Sequence, residues 1–218
     1  MGETAKTREM VEVVIDAFEP HMWSKGMTPF EVLISTVLSQ KTERRGTQKA
    51  FLALKRKLGV CPRSLAAASE SEIAEFIKPA GLYRSKSSKI KAIAESVLEL
   101  YGGDLSRVLE LPELEARRRL MALPGVGPKT ADVVLSFAAG RAVLPVDVHI
   151  FRIARRWGMA DERGSYEEVR ASFEAAVPPA MRLPAHLALI EFGREICAAR
   201  NPKCGICPVA DRCPSAQS

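Results

Sequence analysis

The chain has 218 residues, 47% of them hydrophobic, which is enough to fill one large core or two small ones. Its formal charge of +6 and pI near 9.2 suit a polyanionic partner without requiring one, because clustered Lys and Arg gain free energy by releasing phosphate counterions. No stretch is long and uncharged enough to span a bilayer: the most apolar region, residues 131–146, is interrupted by Asp132 and Arg141.

The chain begins Met1-Gly2-Glu3-Thr4-Ala5-Lys6, which is polar and unlike a secretory leader. An intracellular, cytoplasmic protein is expected, nucleoid-associated if prokaryotic, with no membrane partner. Periodicity is helical nearly throughout and no run of alternating β-branched residues occurs, so an all-α fold is expected. Val11, Val14, Ile15 and Phe18 mark a first amphipathic helix. Phe30, Leu33, Ile34, Val37 and Leu38 mark a second, with Thr28 as N-cap, Pro29 in the first turn and Glu31 completing a capping box. Cys61 stands alone before Pro62 and reads as an ordinary small apolar residue. Ser69 and Glu72 repeat the capping-box pattern. The apolar stripe Ile90, Ile93, Ala94, Val97, Leu98 and Tyr101 is stopped by Gly102-Gly103. Ser165 and Glu168 cap a helix carrying Val169 and Phe173, and Pro184 opens the last one. His21 and His186 offer no site argument.

Three motifs carry chemistry. Leu123-Pro124-Gly125-Val126-Gly127-Pro128-Lys129-Thr130-Ala131 reads as a helix-hairpin-helix. Gly125 and Gly127 would allow a tight turn with positive φ, and Pro128 suits the first turn of a helix whose dipole favours an anion. A DNA phosphate is the natural ligand, with a monovalent cation on the hairpin carbonyls as a further candidate; a plain helix-helix turn is the alternative. In Val146-Asp147-Val148-His149-Ile150-Phe151-Arg152, Asp147 reads as a helix N-cap that could also face a cleft.

Cys197, Cys204, Cys207 and Cys213 follow the spacing C-x6-C-x2-C-x5-C. Four thiolates so close in sequence can enclose one soft metal centre. A paired-knuckle zinc site would show two C-x2-C hooks, whereas only Cys204 and Cys207 form one, so a four-iron four-sulfur cluster is favoured over zinc. A disulfide pair or scattered core cysteines is the remaining alternative.

From Thr28 to Cys213 these motifs, in this order and spacing, resemble the endonuclease III branch of the helix-hairpin-helix DNA glycosylases. The resemblance implies a two-lobed all-α fold, with a six-helix domain over residues 23–140 and an iron-sulfur cluster domain formed by 1–22 and 141–218. It implies that Lys129 is the nucleophile, that Asp147 is the catalytic aspartate facing it across the cleft, and that the four C-terminal cysteines hold one 4Fe-4S cluster. A lysine must be neutral to attack, a form that partial burial beside other cations favours.

By the same resemblance Gln40 enters the DNA helix and Leu82 acts as a wedge when a nucleotide is flipped out. Without it, Gln40 is a polar residue at a helix end and Leu82 a hydrophobic contact. Gly125, Val126, Gly127 and Thr130 belong to the phosphate-binding hairpin. His149 has a structural or sugar-phosphate role near Asp147, and Arg200 and Lys203 form a basic loop that touches phosphate or is simply solvated. Many relatives read Ala-Thr-Asp where this chain reads Lys41-Thr42-Glu43, a departure beside the expected lesion pocket that bears on base preference.

The activity so implied is base excision repair, by a monomer, of duplex DNA carrying damaged bases or abasic sites: removal of oxidised or ring-damaged pyrimidines followed by β-elimination through a lysine Schiff base. The alternatives are a mismatch-type glycosylase for thymine, uracil or adenine, against which Lys129 weighs, and a non-catalytic DNA-binding module.

Overall fold

Several helices begin where a side chain satisfies first-turn amides in the computed structural model, which describes residues 2–19, 22–161 and 163–216. His21 lies outside the described residues. In chain order the α-helices are α1 (Glu3–Ala17), α2 (Pro29–Ser39), α3 (Arg44–Lys57), α4 (Pro62–Ala67), α5 (Glu70–Ile77), α6 (Tyr83–Tyr101), α7 (Ser106–Leu109), α8 (Glu113–Met121), α9 (Pro128–Ala139), α10 (Val148–Arg156), α11 (Tyr166–Ala176) and α12 (Arg182–Glu195). Short 3-10 turns fill several connections, and no strand forms among the described residues.

The expected capping boxes are present. Thr28 N–H donates to Glu31 Oε2 at 2.8 Å while Glu31 N–H donates to Thr28 Oγ1 at 3.2 Å. Ser69 with Glu72 and Ser165 with Glu168 repeat the exchange at α5 and α11. A fourth box overturns the reading of Cys61. The residue is exposed, and its Sγ accepts from Ser64 N–H at 3.4 Å, so it is the N-cap of α4. Pro184 does not open α12, which starts at Arg182; a proline in the first turn gives up no intrahelical bond, so it marks the turn without marking the start.

The chain divides into two compact units, Ser24–Arg141 and Met1–Trp23 with Ala142–Ser218. In the first, α2 runs through the centre, with every residue from Phe30 to Leu38 buried. It packs on α3 and α9, while α4 and α5 pack on α6. The core holds Leu33, Ile34, Leu54, Leu65, Ile73, Ile77, Ile90 and Ile93, all fully buried. The second unit builds its core from α1, α10, α11 and α12 around Met10, Val14, Ile150, Ile153, Trp157, Phe173 and Phe192. The Trp157 ring lies 6.3 Å from Phe173 and 6.2 Å from Phe192. Cys197, Val209 and Cys213 are buried in this same core, so the C-terminal cysteine segment is built into it.

Candidate active site and cysteine centre

The site residues named from sequence fall into two groups, one in each unit. The first surrounds the hairpin between α8 and α9. Val126 N–H donates to Leu123 O and Ala131 N–H to Gly127 O, which closes the turn onto α9. Gly125 has φ +71°, a left-handed conformation that favours glycine, and an added Cβ would crowd the Lys89 side chain at 3.0 Å. Gly127 departs from expectation: its φ is −94° with extended ψ, because it is the N-cap of α9 and needs no left-handed backbone. Val126 is buried, while Gly125 and Gly127 are exposed, which leaves their backbone open to a ligand.

Lys129 is the second residue of α9 and is half-buried. The helix that carries it is locked by an interaction the sequence did not disclose. Asp132, fully buried, takes Arg117 of α8 in a two-pronged pair, Nε to Oδ1 at 2.7 Å and Nη2 to Oδ2 at 3.2 Å. Asp132 had registered only as a break in an apolar run. Thr130 is buried, and Gln40 Nε2 lies 3.5 Å from its Oγ1, so the Gln40 loop reaches the hairpin helix. Leu82 is 58% exposed and adopts a left-handed conformation with φ +48° before α6.

The second group lies along α10. Asp147 is its N-cap: Oδ1 accepts from His149 N–H and from Ile150 N–H, each at 2.9 Å. Oδ2 takes no hydrogen bond among the described residues. The segment before Asp147 is held by side chains that sequence reasoning assigned no role. His186, buried, donates from Nδ1 to Pro145 O at 2.7 Å. Leu144 N–H donates to Glu174 Oε1 at 2.9 Å, and Arg182 bonds Ala142 O. These partners lie 30 to 41 residues away in sequence, so no local pattern could have found them.

His149 Nδ1 accepts from Arg152 Nη2 at 3.1 Å, leaving Nε2 to carry the ring proton and act as a donor. Arg152 also donates to Gly193 O at 2.6 Å and to Cys197 O at 2.9 Å. One turn on, Arg156 Nη1 donates to Cys197 O, Cys197 Sγ and Ala198 O at 3.2, 3.2 and 2.8 Å. Arg152 and Arg156 thus tie the helix capped by Asp147 to the cysteine segment.

Cys197, Cys204, Cys207 and Cys213 line one cavity of about 40 Å³. Burial pushes the Cys207 thiol up, and the other three cysteines add to the rise. No three His, Cys, Asp or Glu side chains among the described residues gather tightly enough to hold a single metal ion. Four sulfurs around one small cavity form a soft donor set that fits an iron-sulfur cluster, whose positive iron would stabilise the Cys207 thiolate that burial disfavours. Arg200 and Lys203 are exposed in the loop between Cys197 and Cys204, which Lys203 N–H closes by donating to Ile196 O at 3.0 Å.

Lys41, Leu82 and Asn201 are the non-glycine residues with positive φ among the described residues. They lie beside Gln40, at the expected wedge and within the basic loop, three places where side chains are aimed outward at some conformational cost. No helix among the described residues is long and apolar enough to cross a membrane.

Residues 34–179 match the HhH-GPD superfamily of base excision DNA repair proteins, and residues 197–213 match the iron-sulfur binding domain of endonuclease III. Endonuclease III of Thermotoga maritima is 37% identical over 189 residues, covering 87% of this chain and 84% of that protein. A trapped covalent intermediate of endonuclease III with DNA superposes with a TM-score of 0.88 at 30% identity, covering 100% of this chain and 98% of the other. A thermostable thymine-DNA glycosylase superposes with a TM-score of 0.84 at 25% identity, covering 99% and 97%. With a hairpin, a capped aspartate and a four-cysteine centre over a matching length, this chain belongs to the endonuclease III family of base excision repair enzymes, DNA glycosylases and abasic-site lyases with an iron-sulfur binding domain.

Proposed function

We propose that Lys129 is the nucleophile with which this enzyme removes oxidised or ring-damaged pyrimidines from duplex DNA and then cuts the strand at the abasic site. The amine attacks deoxyribose C1′ and the base leaves with a proton; the C1′–O4′ bond then opens, O4′ taking a proton as a hydroxyl, and the lysine and sugar are joined as a protonated Schiff base. The iminium acidifies the C2′ proton, and its removal eliminates the 3′ phosphate. Asp147 stabilises positive charge developing on the sugar and helps deprotonate Lys129. Its divided carboxylate supports this role: Oδ1 is committed to capping α10, while Oδ2 has no partner among the described residues.

The observation that carries the proposal is the setting of Lys129, in the first turn of a helix that the buried Arg117–Asp132 pair holds in register with α8. A nucleophile gains most when its scaffold cannot shift, since a misplacement of about 1 Å can cost about a hundredfold in rate. The hairpin residues Gly125, Val126, Gly127 and Thr130 hold a DNA phosphate, with a monovalent cation on the turn carbonyls. Gln40 and Leu82 fill the space left by the flipped nucleotide, and His149, Arg200 and Lys203 contact the backbone.

The four cysteines hold one 4Fe-4S cluster, which stabilises the basic loop when bound. The enzyme acts as a monomer inside the cell on damaged or abasic duplex DNA. Residues 23–140 serve as the hairpin domain, and 1–22 with 141–218 as the cluster domain.

Borohydride trapping on duplex DNA with thymine glycol or an abasic site, comparing wild type with Lys129→Gln, tests the chemistry. Adducts on both substrates with wild type alone are expected. Trapping on the abasic site alone would retain the lyase and refute the pyrimidine-lesion assignment; no adduct on either would refute the Schiff base. The likeness to a thymine-DNA glycosylase favours a second substrate, thymine in a mismatch, so a G·T duplex belongs in the same experiment.

A further inference from the structure

Lys86 is buried, 3% exposed, in the first turn of α6, an unusual place for an ammonium group. Its Nζ donates to Leu38 O at 2.7 Å, to Ala80 O at 2.9 Å and to Thr42 Oγ1 at 2.6 Å. Three acceptors match the three protons of an ammonium, so the group is fully satisfied only when charged. Burial and the nearby Lys89 oppose that charge and bring the pKa down to about 8. Thr42 in turn donates to Ala80 O, and its hydroxyl lies 3.2 Å from Gln40 O.

These acceptors come from two segments far apart in sequence. Leu38, Gln40 and Thr42 belong to the exit from α2, where Lys41 has φ +52°; Ala80 belongs to the turn before α6, where Leu82 has φ +48°. The two segments also touch through α3, where a Cβ on Gly46 would come within 2.5 Å of Pro79 O. Burying a lysine to bond backbone carbonyls is costly for stability alone, because an apolar residue would fill the same space without desolvating a charge.

We infer that Lys86 is a positioning residue: with Thr42 it fixes the Gln40 and Leu82 segments in one register, so that both side chains enter the DNA together. This rests on the assignment of Gln40 and Leu82 as the residues that fill the vacated stack. Lys86 touches neither substrate nor the reacting atoms. It acts by holding two left-handed residues in place, which without it would relax to commoner conformations and swing the two side chains apart.

The test is stopped-flow fluorescence of 2-aminopurine placed beside a tetrahydrofuran abasic analogue, which reports stack opening without chemistry. Lys86→Met should slow the signal about tenfold, while added to Gln40→Ala/Leu82→Ala it should change the rate less than about twofold, since residues acting through one another are non-additive. Thr42→Val should slow it about threefold on the same logic. If the double variant is slow but Lys86→Met is not, or if its effect is undiminished in the double-variant background, the positioning role is wrong while Gln40 and Leu82 keep theirs. If Gln40→Ala/Leu82→Ala leaves the signal unchanged, that assignment falls, and the positioning role with it. Should Lys86→Met fail to fold, Thr42→Val decides: slowing that disappears in the double-variant background supports the role, and no slowing overturns it.

Discussion

Arg156 Nη1 lies 3.2 Å from Cys197 Sγ, and the same guanidinium holds the carbonyls of Cys197 and Ala198. A helix beginning at Asp147 therefore ends on the first cysteine of the metal centre. Charge-assisted bonds to a cluster ligand affect both how firmly the loop is held and the electron density on sulfur.

Arg156→Met keeps most of the apolar stem but removes those bonds. It should destabilise the protein by about 1.5–3 kcal/mol and lower the iron bound per chain, measured by thermal unfolding and iron analysis. Full iron content with an unchanged melting temperature would show that the guanidinium contributes nothing to the centre.

Asp147 combines a cap with the proposed chemistry, and two substitutions separate them. Asparagine caps as well as aspartate, so Asp147→Asn should fold with near-wild-type stability while single-turnover base excision falls by about a hundredfold or more. Asp147→Ala should lose the same activity and a further ~1 kcal/mol of stability. Equal activity in wild type and Asp147→Asn would remove the carboxylate from the mechanism.

Asp132 is fully buried, and the two bonds from part-buried Arg117 offset the cost of taking its charge out of water, so removing Arg117 withdraws that compensation. Arg117→Ala should cost about 3–5 kcal/mol in denaturant unfolding. Arg117→Ala/Asp132→Ala should recover part of that loss, because the buried charge is then removed together with the guanidinium that offset it. A double variant no more stable than Arg117→Ala would contradict this account.

Glu31 is buried, which by itself would push its carboxyl pKa up, but Lys55 at 2.8 Å and the Thr28 N–H outweigh burial and hold it below the ordinary value of 4.5. A depressed folded pKa contributes stability that is complete above the unfolded value and lost as pH falls through the folded one. The stability difference between wild type and Glu31→Gln should therefore be constant above about pH 6 and shrink below about pH 4.5. A difference independent of pH between 3 and 6 would show that the ion pair adds nothing.

Much of the fold was legible from local rules, because caps and helical stripes are written in residues three and four apart. Thr28 with Glu31, Ser69 with Glu72 and Ser165 with Glu168 begin helices where their spacing says they must. Cys61 was misread for a related reason: a thiol in a capping box is rare enough that composition suggests burial, whereas the chain needed an acceptor for Ser64 N–H at an exposed turn. At the sites, spacing pointed to the four cysteines and the family resemblance to Lys129 and Asp147, and neither disclosed what holds them.

The sequence alone determined an all-helical chain, a hairpin at 123–131, a capped aspartate at 147 and a thiol-rich segment from Cys197 to Cys213. These depend on backbone preference and short spacing, which act before any distant contact forms. Only the tertiary structure decided that Asp132 takes Arg117, that His186 holds the carbonyl before Asp147, that Arg156 grips Cys197 and that Lys86 joins the Gln40 and Leu82 segments. Each of these satisfies a polar group taken out of water, and its partner is chosen by whichever helix the packed core brings alongside.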